Sequence, residues 1–512
     1  MSLFARELAL RQPRGTRRRR WLFVPYDQLT DAIGPLSREH PAELGIVLVE
    51  SPWKASLRPY HRQKLALVLA NLRHFALEQA AKGIAVRHVV ARGPYREALA
   101  PLVAELGPLR TMRPAERELR EDLAPLVASG AIVELPHEGW ITTTAQFEAS
   151  QPGPPWRMDA FYRYVRRETG LLMRDGKPLG GKFSHDAANR RPWNGVPTAA
   201  QPPRFESDPI KDEAVELVRT RFASHPGELD AGALPATLAE AEATWMWARH
   251  ACLPLFGPYE DAMSVRSTTL FHTRIAPLLH LHRLLPRRVV DDAASLAVPV
   301  AGVEGFVRQV LGWREFVRHV HEATDGFRVG AVREGGPLPP AYWGTPSGLA
   351  CLDTVVADVW REGYSHHITR LMVLANVATL LDVSPRELTD WFWVAYTDAY
   401  DWVVEPNVLG MGTFAAGALM TTKPYVSGAA YLARMSDYCR HCAFDPGSTC
   451  PITPLYWAWL ERHRVRLEGN PRMTLPLAAS AKRGPERARE DAATFERVRG
   501  TLARGEPLRP GC

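Results

Sequence analysis

A parallel, doubly wound α/β domain followed by a larger all-helical domain is the fold class this 512-residue sequence predicts. Three observations carry that reading. Short apolar runs alternate with amphipathic stretches over residues 21–140, the pattern of a parallel sheet with crossover helices. From about residue 231 to the end the 3.6-residue period dominates. The stretch between them, 141–230, is rich in proline and glycine and reads as an interdomain connector containing some helix.

Taken in order, residues 1–20 end in four arginines, Arg17–Arg20, and read as a basic arm without regular order. Trp21–Pro25 and Gly45–Val49 read as buried strands, Leu65–Gln79 as a helix and Ala85–Val90 as a strand. Arg96–Leu106 follows as a helix and Ala131–Leu135 as a last strand. In the helical region 231–512, Phe306, Val310, Trp313, Val317 and Val320 share one face. Ser384-Pro385-Arg386-Glu387 is a capping box with proline in the first helical position, opening a helix that runs through Trp391–Tyr400. No strand and no internal repeat is expected in the C-terminal half.

Composition narrows the class. A chain with 46% hydrophobic and 23% charged residues is globular rather than largely disordered. No apolar run is long enough for a membrane-spanning helix, and the N-terminus lacks a secretory signal, so a cytoplasmic protein without a membrane partner is expected. The net charge is +7, and only eight of the 63 basic residues are lysine. Arginine forks suit phosphate, so a nucleic-acid partner is allowed, although a coding bias toward arginine explains the count equally well.

Three of the six cysteines, Cys439, Cys442 and Cys450, fall within one short stretch, and Cys351 can be brought to them by folding. Such a cluster in a cytosolic chain is a metal site more often than a disulfide framework. Four thiolates suit zinc or an iron–sulfur cluster, and spacing alone leaves both open. His441 is a competing ligand. Cys252 reads as a core thiol and Cys512 as a free tail thiol.

Other motifs are ambiguous when read singly. Arg308, Arg314 and Glu315 flank the large aromatic Trp313 on a helix that can equally be plain core. His366 and His367 open an apolar helical run; on a helix they would point about 100° apart, so one can donate a proton while the other is a core residue. Asp398-Ala399-Tyr400-Asp401-Trp402 lies with Trp391, Phe392 and Trp393 on the aromatic-rich helix. Those rings are core by default or, around a redox cofactor, an electron relay. Gly410-Met411-Gly412 does not follow a strand and is no dinucleotide loop. Phosphate-loop, nucleophile-elbow and zincin motifs are missing, so hydrolase chemistry has no support.

Several long motifs in one order resemble the cryptochrome/photolyase superfamily, specifically its bacterial iron–sulfur class of (6-4) photolyases and related cryptochromes. They are GFVRQVLGWREF (305–316), YSHHITRLM (364–372), YTDAYDW (396–402), PNVLGM (406–411), TKPY (422–425) and MSDYCRHC (435–442), with FYRYVRRETGLLM (161–173) in the connector. The resemblance covers most of the chain from Trp21 onward. It implies FAD in the helical domain, a 4Fe–4S cluster on Cys351, Cys439, Cys442 and Cys450, and an antenna chromophore such as a lumazine in the α/β domain. It implies ultraviolet-damaged DNA as partner to a monomer, with light-driven repair of (6-4) lesions by electron transfer from reduced FAD. The flipped lesion would enter a pocket in the helical domain.

By position, the resemblance makes His367, with His366 beside it, the proton donor, and Asp398 and Tyr400 flavin contacts. Trp391 and Trp343 become ends of an electron relay, and Thr268, Thr269, Arg308, Trp313 and Asn376 further FAD-pocket residues. The sequence also departs from the class. Phe392 stands at the middle relay position, for which Trp393 and Tyr396 are the nearby oxidisable replacements. Val404 replaces an acid, the antenna G-D-Q-L reads Tyr26-Asp27-Gln28-Leu29, and Lys54 stands where an acid is expected. The stretch Phe271–Pro277 lacks the usual serine and glycine of the FAD-phosphate loop, and the loop before Cys450 is short. Two rivals therefore stay open: a signalling cryptochrome, and a non-photochemical nucleic-acid-binding protein with a structural metal.

Overall fold

The computed structural model describes residues 2–13, 19–329, 331 and 334–510. Five strands form one parallel sheet: β1 (Arg20–Phe23), β2 (Leu44–Glu50), β3 (Ala85–Val90), β4 (Leu109–Met112) and β5 (Ile132–Leu135), in spatial order β3-β2-β1-β4-β5. The order reverses at β1, as in a doubly wound sheet. β1 lies in register with β2, Trp21 opposite Gly45, and the indole covers Gly45 so closely that a Cβ there would collide with the ring. β2 is buried along its whole length. β4 is the strand that sequence periodicity misses, because its four residues carry Arg110 and show no clear alternation.

The basic arm is corrected by the structure. Leu3–Arg11 is a helix, capped by the Ser2 hydroxyl, which accepts from the Ala5 amide. It buries Phe4 and Leu8, and the Phe4 ring packs edge-on against His88 of β3 at 4.9 Å. The side-chain amide of Gln12 then exchanges two hydrogen bonds with the Val86 backbone, covering part of the β3 edge. Arg19 donates to the carbonyls of Pro41 and Leu44. Arg17, Arg18 and Cys512 lie outside the described residues.

The segment 141–230 contains the helices Thr144–Ser150, Met158–Thr169 and Pro209–Arg221, and a two-stranded ribbon, Met173–Arg174 with Lys177–Pro178. Pro209–Arg221 packs on Arg62–Ala81, the long crossover helix between β2 and β3. Beyond residue 231 the structure is helical among the described residues, apart from one isolated bridge, Gly336 to Val383.

Among the described residues four helices of this body widen locally to π turns, over Ala248–Cys252, Arg308–Arg314, Arg370–Ala375 and Pro406–Gly412, the last three overlapping the family-like motifs. Such widened turns recur where side chains must be aimed at a site. Phe306, Val310, Val317 and Val320 form the expected buried stripe, and Trp313 is half-buried at its margin.

The helix opened by Ser384 ends at Ala395, five residues earlier than the aromatic run suggests. Tyr396–Tyr400 is a buried loop whose extended backbone breaks the helical register. Its end carries Tyr400 and then Trp402 into the hydrophobic core of the sheet domain, so the two layers share one apolar contact.

Candidate functional site

The site is built around three histidines. His366 is a non-helical cap and His367 the first helical residue of His367–Thr369, so the two rings do not sit at helical spacing. His366 instead lies flat on His272, ring centroids 4.4 Å apart and 4° from parallel. His367 meets His272 edge-on at 5.4 Å. His272 escapes sequence reasoning, because nothing local ties the Phe271–Pro277 stretch to a helix almost a hundred residues later. Burial, and then the neighbouring histidines, hold His272 well below the ordinary histidine range; burial, and then His367, do the same to His366. His367 is also lowered by burial, but the Glu260 carboxylate pulls against it. Of the pair, His367 is therefore the better placed to carry a proton. His272 Nε2 and His366 Nδ1 are buried and have no hydrogen-bond partner among the described residues.

On one side stands a buried polar network. Arg308 reaches Glu304 at 3.2 Å, Glu260 at 3.3 Å and Asp186 at 3.5 Å, and its charge acts on His367. Glu260 also accepts from Gln309 and Asn189. On the other side Arg370 holds Asp398 through two 3.0 Å bonds. Burial pushes the Asp398 carboxyl up, yet the Arg370 guanidinium more than offsets this and keeps it below the usual aspartate range. Arg370 also covers the Tyr396 ring at 4.0 Å, and Tyr396 exchanges a 2.8 Å hydrogen bond with Ser365, next to His366.

A cavity of about 570 Å³ opens beside Tyr364 and Thr397, the neighbours of these residues. Thr268 and Thr269 line it, together with Arg204, Arg266, Arg274 and Arg361. Thr268 donates to Glu362, and Thr269 accepts from Arg274, which also pairs with Glu362 at 2.8 Å. The volume lies within the roughly 300–1,000 Å³ of small-molecule sites.

Not every residue singled out above converges here. Asn376 spends both ends of its amide on the Ser427 backbone. Trp313 packs edge-on against Phe316 at 6.1 Å. Tyr400 turns to the sheet domain and stacks on Tyr26 at 6.2 Å. Trp391 is buried against Tyr396, whereas Trp343 is 48% exposed at the surface.

A sequence model of the family described as deoxyribodipyrimidine photo-lyase-related protein matches residues 22–233. The (6-4) photolyase of Agrobacterium fabrum is 32% identical over 478 residues, spanning 89% of this chain and 94% of that protein. The chain belongs to the photolyase–cryptochrome family.

Solved photolyases share the fold at low identity. A bacterial class III photolyase from Agrobacterium tumefaciens superposes with a TM-score of 0.56 at 13% identity, covering 95% of this chain and 99% of that one. An archaeal photolyase from Sulfolobus tokodaii, solved with two FAD molecules, gives 0.54 at 12% identity, covering 93% and 99%.

The buried polar atoms at this site suit a large polar heterocycle. Orphaned imidazole nitrogens in a dry interior are costly unless a ligand satisfies them. The hydroxyls of Ser267, Thr268 and Thr269 and the guanidinium groups along the cavity are the donors a diphosphate needs, in competition with the carboxylates Asp230, Asp358, Glu362 and Asp437 that the arginines now pair with. These residues fit FAD.

The cysteines are grouped more loosely. Cys351, in the first turn of Ala350–Glu362, is buried, and burial followed by the neighbouring Cys450, Cys442 and Cys439 pushes its thiol far up. Cys442 and Cys450 pack against the same core as Cys351. Among the described residues no three His, Cys, Asp or Glu side chains stand together closely enough to hold a metal ion. The donor set, four thiols and an exposed His441, fits a thiolate-bound metal, while the four sulfurs are neighbours rather than a closed sphere. Cys252 is fully buried, its thiol directed at the His272 carbonyl, as a core thiol should be.

A lumazine antenna does not fit the sheet domain of this family member. Tyr26 is buried where the class has glycine, its hydroxyl donating to Glu116, while Lys54 reaches Glu116 at 2.7 Å. Gln28 spends its amide on the Met112 carbonyl at 3.1 Å. The void left among Tyr26, Lys54, Lys64, Tyr95 and Tyr400 is only about 110 Å³, too small for a lumazine ring with its sugar chain.

Proposed function

We propose that this photolyase-family protein binds FAD in the helical body and uses light to repair (6-4) lesions in ultraviolet-damaged DNA. The observation that carries the reading is the buried imidazole cluster: His367 is held between the Arg308–Glu260 network and the Arg370–Asp398 pair. The named relative and the FAD-bearing archaeal photolyase support it by similarity. FAD, when bound, supplies the electron donated to the lesion. The chain's own part is positional and protic. Asp398, charged and clamped by Arg370, and the Arg308 network orient the cofactor. His366 and His272 stand beside His367 as stacked, neutral rings. His367, supported by Glu260, holds or releases the proton that a (6-4) lesion needs when its transferred group returns.

Cys351, Cys439, Cys442 and Cys450 are proposed to hold a 4Fe–4S cluster with a structural role, on the strength of the four-thiol donor set. The chain contains no helix long and apolar enough to cross a membrane among its described residues, and it is proposed to act as a cytoplasmic monomer on DNA.

The decisive experiment is illumination of the purified, reduced protein with ultraviolet-treated DNA, scoring (6-4) lesions by antibody or chromatography. Light-dependent loss of those lesions is expected. Bound flavin without repair would replace this reading by a cryptochrome, which the buried Val404 in place of an acid favours. Zinc without flavin would replace it by a nucleic-acid-binding protein with a structural metal.

A further inference from the structure

We propose that Trp360 is the middle carrier of an electron path, Trp343–Trp360–Trp391, that feeds the flavin of the proposed photolyase from the surface. The inference rests on the flavin reading above, but the path is drawn by contacts. Trp343 is exposed and stacks on Trp360, centroids 5.5 Å apart and 17° from parallel. Trp360 meets Trp391 edge-on at 5.9 Å. Both inner indoles donate their N–H to one acceptor, the Tyr342 carbonyl, at 2.9 Å each. That shared carbonyl fixes the two rings relative to each other. Trp391 is buried and touches Tyr396, which lies under the Arg370–Asp398 pair.

The neighbouring aromatic rings are poorer carriers. Phe392 touches Trp391 at 5.2 Å, but a phenyl ring is much harder to oxidise than an indole. Trp393 and Tyr396, the replacements suggested by sequence proximity, each carry a guanidinium 4.0 Å from the ring, Arg58 and Arg370. A positive charge over the ring face stabilises the neutral ring and opposes a positive hole. Tyr342 would have to lose its phenolic proton, and its hydroxyl donates to the Leu374 carbonyl, which is no base. Trp360 is flanked instead by His61, stacked at 5.9 Å and 7°. Burial lowers that imidazole to about 4, so it is neutral at pH 7.

Were a bound oxidised flavin to draw one electron from Trp391 in the light, Trp391 would be refilled from Trp360, and Trp360 from Trp343. Exposed Trp343 is refilled by a small-molecule thiol in solution. Two such passages reduce the flavin by two electrons and oxidise two thiols to one disulfide. The two protons lost by the thiols pass to solvent or to the reduced flavin.

The test compares wild type, Trp360→Phe, Trp360→Tyr, Trp343→Phe and Trp393→Phe, each with bound flavin, under blue light and excess dithiothreitol without oxygen. Bleaching of the visible flavin band is expected to slow about tenfold or more in Trp360→Phe and Trp343→Phe. Part of the rate should return in Trp360→Tyr, and Trp393→Phe should match wild type. An unchanged rate in Trp360→Phe, or a loss confined to Trp393→Phe, overturns the path.

A second readout needs no flavin. Near-ultraviolet circular dichroism of the flavin-free chain should show coupled indole bands that vanish in Trp360→Phe and in Trp343→Phe but persist in Trp393→Phe. Bands indifferent to residue 360 overturn the stack itself. A wild type that takes up no flavin overturns the function proposed above, and the path with it, while these bands report the stack separately.

Discussion

Arg370 and Asp398 form a two-point ion pair, 3.0 Å at each contact, inside the helical body. Removing one partner of such a pair leaves a buried charge without compensation, which costs about 3–5 kcal/mol. Asp398→Asn is therefore expected to lower stability by that order in urea denaturation and to reduce flavin retained through gel filtration. The pair also has a pH signature. Because the folded carboxyl titrates below its unfolded value, its stabilisation is present above the ordinary aspartate range and lost as pH falls through the folded value. Asp398→Asn should abolish that acid-side increment.

Buried histidines predict a second, milder acid transition. Burial lowers His61 to about 4, His280 to about 3 and His282 to about 4. The unfolded chain takes up these protons first, so stability falls as pH drops from about 6.5 toward 4, each group contributing about 1.4 kcal/mol per pH unit. Equilibrium unfolding between pH 7 and pH 4 measures the slope. His280→Gln should make it shallower by roughly one group's share.

Tyr26 decides the small cavity of the sheet domain. Truncating a large buried aromatic costs about 3–5 kcal/mol, so Tyr26→Gly should destabilise the protein by that order. It should also open room beside Lys54 and Glu116. Equilibrium dialysis with a ribityl-lumazine is expected to show no binding to wild type and measurable binding to Tyr26→Gly.

The four-thiol site is checked by content rather than by activity. Iron and acid-labile sulfide in anaerobically purified protein should approach four of each per chain, the composition of a 4Fe–4S cluster. Cys351→Ser should lower both and, because Cys351 sits in the hydrophobic core, lower the melting temperature as well.

The sequence by itself determined four of the five strands of the parallel sheet, the helical character beyond residue 231, the four grouped cysteines and the order of motifs that marks the family. These are local signals: periodicity reports which face is buried, and spacing within one segment reports a shared chemistry. The arm helix escaped because its apolar face is only Phe4 and Leu8, which become core once β3 lies beside them. His272 on His366, Trp360 between Trp343 and Trp391, and Tyr400 on Tyr26 were decided by tertiary structure alone. Each joins rings from different segments, and no pattern along the chain encodes which distant ring will close over another. The same physics explains the clamped carboxylate of Asp398 and the neutral histidines, since burial and the charges brought near by folding, not residue type, set their protonation.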